Sequence, residues 1–232
     1  MRLLFDQLKW QLLIFWKNNL LTMIIAITAV YTILIYAGRS NENLEKFITL
    51  LIYNDPAIIG FIFIGLLIID EKDQGVQSAL FVAPVSYHIF LLSRIITLSL
   101  IGCLGAVVMV FAAKGTSFNL VHFSVGAFAT CVLFSFVGIF VVSFTTDVLQ
   151  FFLRGAALLV LMSLPLLNYF ELTVLSFLRL FPAQGGLDLI VNSYQAWPNV
   201  SGLIFGYVSI AIWIPLLYWF IYRVFVTRVV RV

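Results

Sequence analysis

The chain has 232 residues, of which 63% are hydrophobic and only 10% are charged. A soluble globular domain carries about 25% charged and about 45–50% apolar residues, so this composition excludes an ordinary water-soluble domain and indicates an integral membrane protein. The formal net charge of +3 is spread along the sequence, unlike the concentrated basic patch of a nucleic-acid-binding protein. We therefore expect a lipid membrane, and no nucleic acid, among the partners of the chain.

Residues 1–19 precede the first long apolar segment and mix apolar side chains with a few charges. They contain no small-residue cleavage site, so we expect no cleavable signal peptide. Charged and leucine-rich faces at helical spacing predict a connecting helix on the membrane surface, with Trp10 and Trp16 in the headgroup layer.

Six apolar segments are long enough to cross the roughly 30 Å of hydrocarbon in a bilayer. They predict an all-α, polytopic membrane protein with a single transmembrane domain. The predicted spans are residues 20–38, 47–69, 87–113, 120–144, 151–170 and 200–222.

The second span contains the sequence Asn54-Asp55-Pro56. Proline lacks a backbone N–H and disfavours helix at the preceding residue, which predicts a break or kink here. An ionisable residue at membrane depth is a candidate for function, so these three residues are a candidate part of a translocation path. The alternative is that they only begin a shorter span, with Asp55 near the outer headgroups.

Residues 171–199 are too polar for a span and too apolar for an ordinary loop. Two short apolar pieces flank a stretch that contains Pro182, Gly185 and Gly186. Pieces of about 10 residues can dip into a membrane and return, but they cannot cross it. We predict a re-entrant segment that is broken at residues 182–186.

The distribution of basic residues predicts the orientation of the chain. Six spans place both termini on one side, where nine of the 13 Lys and Arg residues fall. Positive charge accumulates in cytoplasmic segments, so we expect both termini and residues 70–86 in the cytoplasm and the re-entrant segment outside. The four basic residues on the other side are Arg39, Lys46, Lys114 and Arg179.

The densest charge cluster, residues 70–73, opens the stretch 70–86 between spans two and three. A charge at the bilayer centre costs roughly 2.5–3.5 kcal/mol, so we expect these side chains in water, as a charged cap on a helix end. The mixed segment that follows, up to Pro84, predicts a short cytoplasmic helix that a soluble partner can grip.

The sequence has no motif that carries a reaction. The phosphate loop GxxxxGK[ST] and the HExxH and GxSxG motifs are absent. Cys103 and Cys131 are isolated within apolar segments and His88 and His122 lie at segment ends, so we expect no metal site. We therefore predict no catalytic residue and no cofactor in this chain, which is not expected to be an enzyme.

The stretch around spans two and three resembles the permease subunits of ABC type-2 exporters. In that family an acidic residue, a glycine, a leucine and a Pro-hydrophobic-Ser sequence follow the second span. The matching residues here are Glu71, Gly75, Leu80, Pro84 and Ser86. The layout of a connecting helix, six spans and a dipping segment before the sixth is also similar. Within the family the chain is most similar to fluoroquinolone-type drug export permeases.

This resemblance implies a subunit that moves an apolar or amphipathic substrate, such as a drug, a lipid-like molecule or a peptide, out of the cell. Because the chain has no fused ATPase, the resemblance implies two copies of a separate ATPase subunit, which bind ATP and Mg, and a second permease subunit, identical or related. It also implies the cytoplasmic membrane of a bacterium or archaeon. The residues that would couple to the ATPase are Glu71, Lys72, Gly75, Val76, Leu80, Pro84 and Ser86.

Two other functions are compatible with the same sequence. A gradient-driven carrier would use Asp55, although such carriers usually place ionisable residues in several spans or show an internal repeat. A membrane assembly protein would not transport at all. Of the three functions, we favour an exporter subunit driven by an ATP-hydrolysing partner.

Overall fold

The computed structural model describes residues 2–17, 19–38, 44–75, 87–173, 175–195 and 197–230, and within these ranges all regular secondary structure is helical. Six helices in this part of the chain are long and apolar enough to cross a membrane. The predicted all-α fold with six spans is therefore confirmed. Spans one to six are Leu20–Gly38, Lys46–Asp73, Tyr87–Lys114, Leu120–Val142, Val148–Tyr169 and Val200–Arg228.

Three of the six spans contain more than one helical element. Span two joins the α-helices Glu45–Ile58 and Ile64–Asp73 through a π-helical turn, Ile59–Phe63. Span five consists of Val148–Ser163 and the short helix Pro165–Tyr169. Span six is the α-helix Val200–Phe225 followed by the π-helical Val226–Val230. The elements outside the spans are Arg2–Lys17, the 3-10 helix Ser176–Leu180 and the α-helix Pro182–Ser193.

The bundle has two ends, and side-chain contacts join residues at each of them. At the end that carries both chain termini, which we call the terminal end, His88 Nδ1 of span three lies 2.9 Å from the Tyr218 hydroxyl of span six. At the opposite end, Lys46 Nζ lies 2.8 Å from Glu171 Oε1. These contacts fit six spans that run alternately up and down.

Spans two and four form the centre of the bundle and are mostly buried, whereas spans one, five and six are mostly exposed. The exposed side chains of the outer spans are largely aliphatic and aromatic. Such faces suit lipid, which offers no hydrogen-bonding partner and tolerates only apolar surface. Most of the buried polar residues, which are the candidates for a functional role, lie in spans two, three and four.

The π-helical turn of span two places Phe61 against span five. The rings of Phe61 and Phe151 stack with their centroids 4.8 Å apart. Two glycines make room for them: a Cβ on Gly155 would lie 2.3 Å from the Phe61 ring, and a Cβ on Gly65 would lie 2.1 Å from the Phe151 ring. Small residues of this kind let membrane helices approach closely. Spans two and five therefore pack through two contacts, Phe61 against Gly155 and Phe151 against Gly65.

The helix Arg2–Lys17 packs one face against span three. Gln11 and Phe15 on that face are buried, whereas Trp10 and Trp16 are 65% and 70% exposed. This arrangement suits a connecting helix at the membrane surface, and its place in the headgroup layer stays a prediction.

Candidate functional site

Glu71 and Arg94 form a buried ion pair between spans two and three at the terminal end. Glu71 is 7% exposed and Arg94 is 1% exposed. Arg94 Nη2 donates a hydrogen bond to Glu71 Oε1, and the Arg94 guanidinium lies over the Phe90 ring. The expectation that every acid of the 70–73 cluster faces water is therefore wrong for Glu71. Burial is possible here because a cation from the next span compensates the carboxylate.

The Glu71–Arg94 pair fixes the position of span two relative to span three. Two nitrogens of Arg94, Nε and Nη1, are buried without a hydrogen-bond partner among the described residues. The positive charge of Arg94 is therefore compensated by the Glu71 carboxylate and the Phe90 ring. Removing one partner of such a buried pair costs about 3–5 kcal/mol, because the other charge is left uncompensated. Spans two and three are therefore tied together at the base of the segment that connects them.

Lys72, the next residue, ties span two to span four. Its Nζ donates to the carbonyl oxygens of Val142 at 2.6 Å and Thr145 at 3.2 Å. Val142 is the last residue of span four and Thr145 lies just beyond it, at the end of a helix where carbonyls lack intrahelical partners and a cation is favourable. Glu71 and Lys72 together connect the end of span two to spans three and four.

The chain leaves span two through Gly75, which has a φ of 68°. This left-handed conformation is readily adopted by glycine and costs other residues free energy, so Gly75 permits the chain to turn out of span two. The other predicted coupling residues, Val76, Leu80, Pro84 and Ser86, lie outside the described residues. The structure describes the chain up to Gly75 and again from Tyr87, where span three begins.

Asp55 is fully buried within span two. Its carboxylate oxygens lie 3.4 and 3.5 Å from the Thr28 hydroxyl of span one. Gly105 of span three faces the same point, since a Cβ there would lie 3.2 Å from Asp55 Oδ2. No ion pair to Asp55 is present among the described residues. Its place in a translocation path stays a prediction.

Two expectations about this part of span two are corrected. The sequence Asn54-Asp55-Pro56 does not begin a shorter span, because the helix starts ten residues before Asp55, at Glu45, and continues through Pro56 to Ile58. The chain also does not break at Pro56. The irregularity follows it as the π-helical turn Ile59–Phe63, a local adjustment that keeps the backbone hydrogen-bonded inside the bundle.

The segment before span six forms a helix where a break was expected. Pro182 is the first residue of the helix Pro182–Ser193, and Gly185 and Gly186 lie within it. Proline suits the first helical turn because the N–H that it lacks would have no partner there. The break between the two apolar pieces instead precedes Pro182, where Phe181 is extended.

Gly185 and Gly186 are contact positions for two spans. A Cβ on Gly185 would lie 3.0 Å from the carbonyl oxygen of Gly206 in span six. A Cβ on Gly186 would lie 2.2 Å from Thr130 Oγ1 in span four. The glycines therefore hold the Pro182–Ser193 helix tightly between spans four and six. The re-entrant course of this segment through a membrane stays a prediction.

A cavity of about 830 Å³ opens beside this helix at the opposite end of the bundle. Its walls come from the end of span five, the 3-10 helix, the Pro182–Ser193 helix and the start of span six. Asp188 and Gln184 line it side by side, and Gln184 Nε2 donates to Asp188 Oδ1 at 2.6 Å. Burial raises the pKa of Asp188 to about 6, although the Gln184 hydrogen bond and the charge of Arg179 work in the opposite direction.

Sequence reasoning missed three of these residues. These residues are Arg94, Asp188 and Gln184, to which the sequence alone assigned no role. For Asp188 a signal existed, because it is the one charged residue in the apolar piece 187–194. No comparable signal assigns Arg94 to Glu71, since nothing in the sequence says which acid a membrane arginine meets.

Comparison with known proteins assigns the chain to a family. No curated protein matches it. A family model described as the fluoroquinolones export permease protein family matches residues 4–232, which is nearly the entire sequence. The chain therefore belongs to the fluoroquinolones export permease protein family.

Proposed function

We propose that this chain is the membrane-spanning subunit of an ATP-driven exporter that works with separate ATPase subunits. The observation that carries the proposal is the pair of ties at the terminal end of span two. Glu71 binds span three and Lys72 binds span four, directly before the segment 76–86. A force applied to that segment would therefore reach three spans at once rather than bending a loose loop.

The mechanism follows from this arrangement. ATP binding would close two ATPase subunits, each holding the 76–86 segment of one permease chain. The ion pair and the Lys72 bonds would transmit the movement into spans two, three and four, which alternate between inward-open and outward-open states. ATP supplies the bias because the ATPases bind it better in one of these states. ATP and Mg would be bound by the partner, since the sequence has no phosphate loop.

The exporter would contain two permease chains, identical or related, because one six-span chain encloses little space. We place it in the cytoplasmic membrane of a bacterium or archaeon with both termini inside the cell. The excess of basic residues on the terminal side supports this orientation. Two residues used in that count, Arg39 and Arg231, lie outside the described residues.

The family to which the chain belongs is named for the export of fluoroquinolones. We propose a substrate of similar character, an apolar or amphipathic molecule of drug size. The cavity at the opposite end, with about 830 Å³ and both polar and apolar walls, supports this class.

The test co-expresses the chain with an ABC ATPase subunit encoded beside its gene, if one is found there, and changes the coupling segment. Val76→Glu and Leu80→Glu should each abolish substrate-stimulated ATP hydrolysis and transport into inverted membrane vesicles. Leu172→Glu is the matched control, because Leu172 is 70% exposed at the opposite end. If both coupling variants transport at the wild-type rate, or if the purified complex contains no ATPase, the proposal is wrong.

A gradient-driven carrier that uses Asp55 is the second candidate, and the burial of Asp55 without an ion pair among the described residues favours it. This candidate predicts that Asp55→Asn abolishes transport and that ATP depletion does not affect it. The ATP-driven mechanism predicts loss of transport on ATP depletion, with insensitivity to a protonophore that leaves ATP intact.

A further inference from the structure

The cavity beside the Pro182–Ser193 helix contains hydrogen-bond acceptors that lack donors. Gln184 Oε1 is buried with no hydrogen-bond partner among the described residues. Asp188 accepts from Gln184 through Oδ1, and no described residue donates to Asp188 Oδ2. A buried polar atom without a partner costs free energy, so Gln184 Oε1, next to the half-buried carboxylate of Asp188, points to a ligand that donates.

The other polar groups of the cavity walls are largely paired with one another. The Asn168 amide bonds Thr173 and the backbone of Leu175. The Asn192 amide bonds the backbone of Asp188 and Asn199. These amides stiffen the walls but offer little to a ligand.

None of the charged groups around Asp188 neutralises its carboxylate through a direct ion pair among the described residues, so the carboxylate is available to a ligand. Glu171 on the same wall is compensated by Lys46, whose hydrogen bond lowers the Glu171 pKa. Arg179 acts on Asp188 through space, and among the described residues it makes no hydrogen bond to the carboxylate. The rest of the lining includes the apolar side chains Leu187, Val191 and Phe205.

We propose that this cavity binds an amphipathic organic ammonium ion. The ammonium would donate to Asp188 Oδ2 and Gln184 Oε1, and the apolar body would lie against the leucine, valine and phenylalanine side chains. An ammonium carries two or three N–H donors on one small charged centre, which matches two adjacent acceptors of which one is charged. The volume of about 830 Å³ is within the range of small-molecule sites.

This site deepens the proposed function, on which it rests for the link to transport, because the ammonium would be cargo on the exit side. The binding itself needs no ATPase. It can therefore be tested on the purified chain alone, separately from the test of ATP-driven transport. Binding without ATP-driven transport would overturn the proposed function and leave the site standing.

The experiment measures equilibrium dialysis of the full chain in dodecyl maltoside at pH 7.5, corrected against empty micelles. The probes are 1-naphthylmethylammonium and its neutral counterpart 1-naphthalenemethanol, which share the apolar body. We expect the ammonium to bind roughly tenfold more tightly than the alcohol. Asp188→Asn should weaken ammonium binding roughly tenfold and leave the alcohol unchanged.

Two further variants should give results that a general loss of structure would not give. Arg179→Gln removes a positive charge near Asp188 and should tighten ammonium binding about two- to fivefold. Glu171→Gln changes only an exposed ion pair that solvent screens, so it should leave ammonium binding unchanged within about twofold. Equal binding of the two probes would overturn the proposal, as would equal ammonium binding by wild type and Asp188→Asn. If Asp188→Asn fails to fold, unchanged binding in Arg179→Gln overturns it instead.

Discussion

The guanidinium carbon of Arg94 lies 3.4 Å from the centroid of the Phe90 ring, one helical turn before it in span three. The ring covers one face of the guanidinium while an edge donates to Glu71. A cation over an aromatic face is stabilised most when it is removed from water, and Arg94 is 1% exposed. Phe90 and Glu71 therefore both stabilise the buried positive charge of Arg94.

Replacement of Glu71 by glutamine should destabilise the protein by about 3–5 kcal/mol, because the Arg94 charge is left buried without a counter-charge. Thermal unfolding in detergent, followed by the tryptophan signal, measures the loss. The double variant Glu71→Gln/Arg94→Met should recover most of it, since no charge then remains. Wild-type stability in the single variant would contradict the ion pair.

Replacement of Lys72 by methionine should cost about 1–2 kcal/mol, because the carbonyls of Val142 and Thr145 lose their donor. Unfolding in detergent is again the measurement. Lys9→Met is the control, since Lys9 is exposed in the N-terminal helix. Equal effects of the two changes would show that the Lys72 contacts contribute nothing specific.

Replacement of Gly60 by alanine should destabilise the centre of the bundle by about 1–3 kcal/mol. The new Cβ would lie 2.3 Å from the carbonyl oxygen of Cys131 in span four, and backbone atoms of a packed helix cannot move aside as a flexible side chain can. Gly38→Ala offers a comparison, because its Cβ would meet a Leu44 side-chain carbon at an ordinary 3.4 Å. A Gly60→Ala protein as stable as Gly38→Ala would show that spans two and four are not in close contact there.

Ammonium binding in the cavity should weaken as the pH falls through about 6, where Asp188 takes up a proton. The sign follows from the raised pKa: the carboxylate that attracts the ammonium exists above this value and is neutralised below it. The charged groups that face Asp188 are Arg179 and, on the same wall, the Glu171–Lys46 pair.

The measurement is a series of dialysis experiments between pH 5 and 7.5 with 1-naphthylmethylammonium, which stays protonated throughout. In Asp188→Asn the binding should be weak and independent of pH over this range. The same raised pKa implies that the stability contributed by this carboxyl is fully present below its ordinary pKa of 3.8 and is lost as the pH rises through about 6. A pH profile identical in the wild type and the variant would assign the dependence to another group.

The amino-acid sequence by itself determined the class of the protein and the number of its spans. A bilayer imposes a fixed thickness and accepts only segments without unpaired backbone groups, so the length of an apolar run is nearly sufficient to recognise a span. The sequence also places a glycine where the backbone requires one, since Gly75 adopts a left-handed φ of 68°. Family resemblance was equally accessible, because it depends on the order of residues alone.

Tertiary structure alone decided which groups meet. Glu71 and Arg94 are 23 positions apart, and only the packing of spans two and three turned an apparently solvated acid into a buried ion pair. Gly185 and Gly186 suggested a break, but the close approach of spans four and six made them contact positions inside a helix. Asp188 became a candidate for binding only when the fold placed it in a cavity beside Gln184. The physical reason is common to all three: burial and pairing depend on neighbours distant in the chain, and their free energies exceed the local preferences that a sequence expresses.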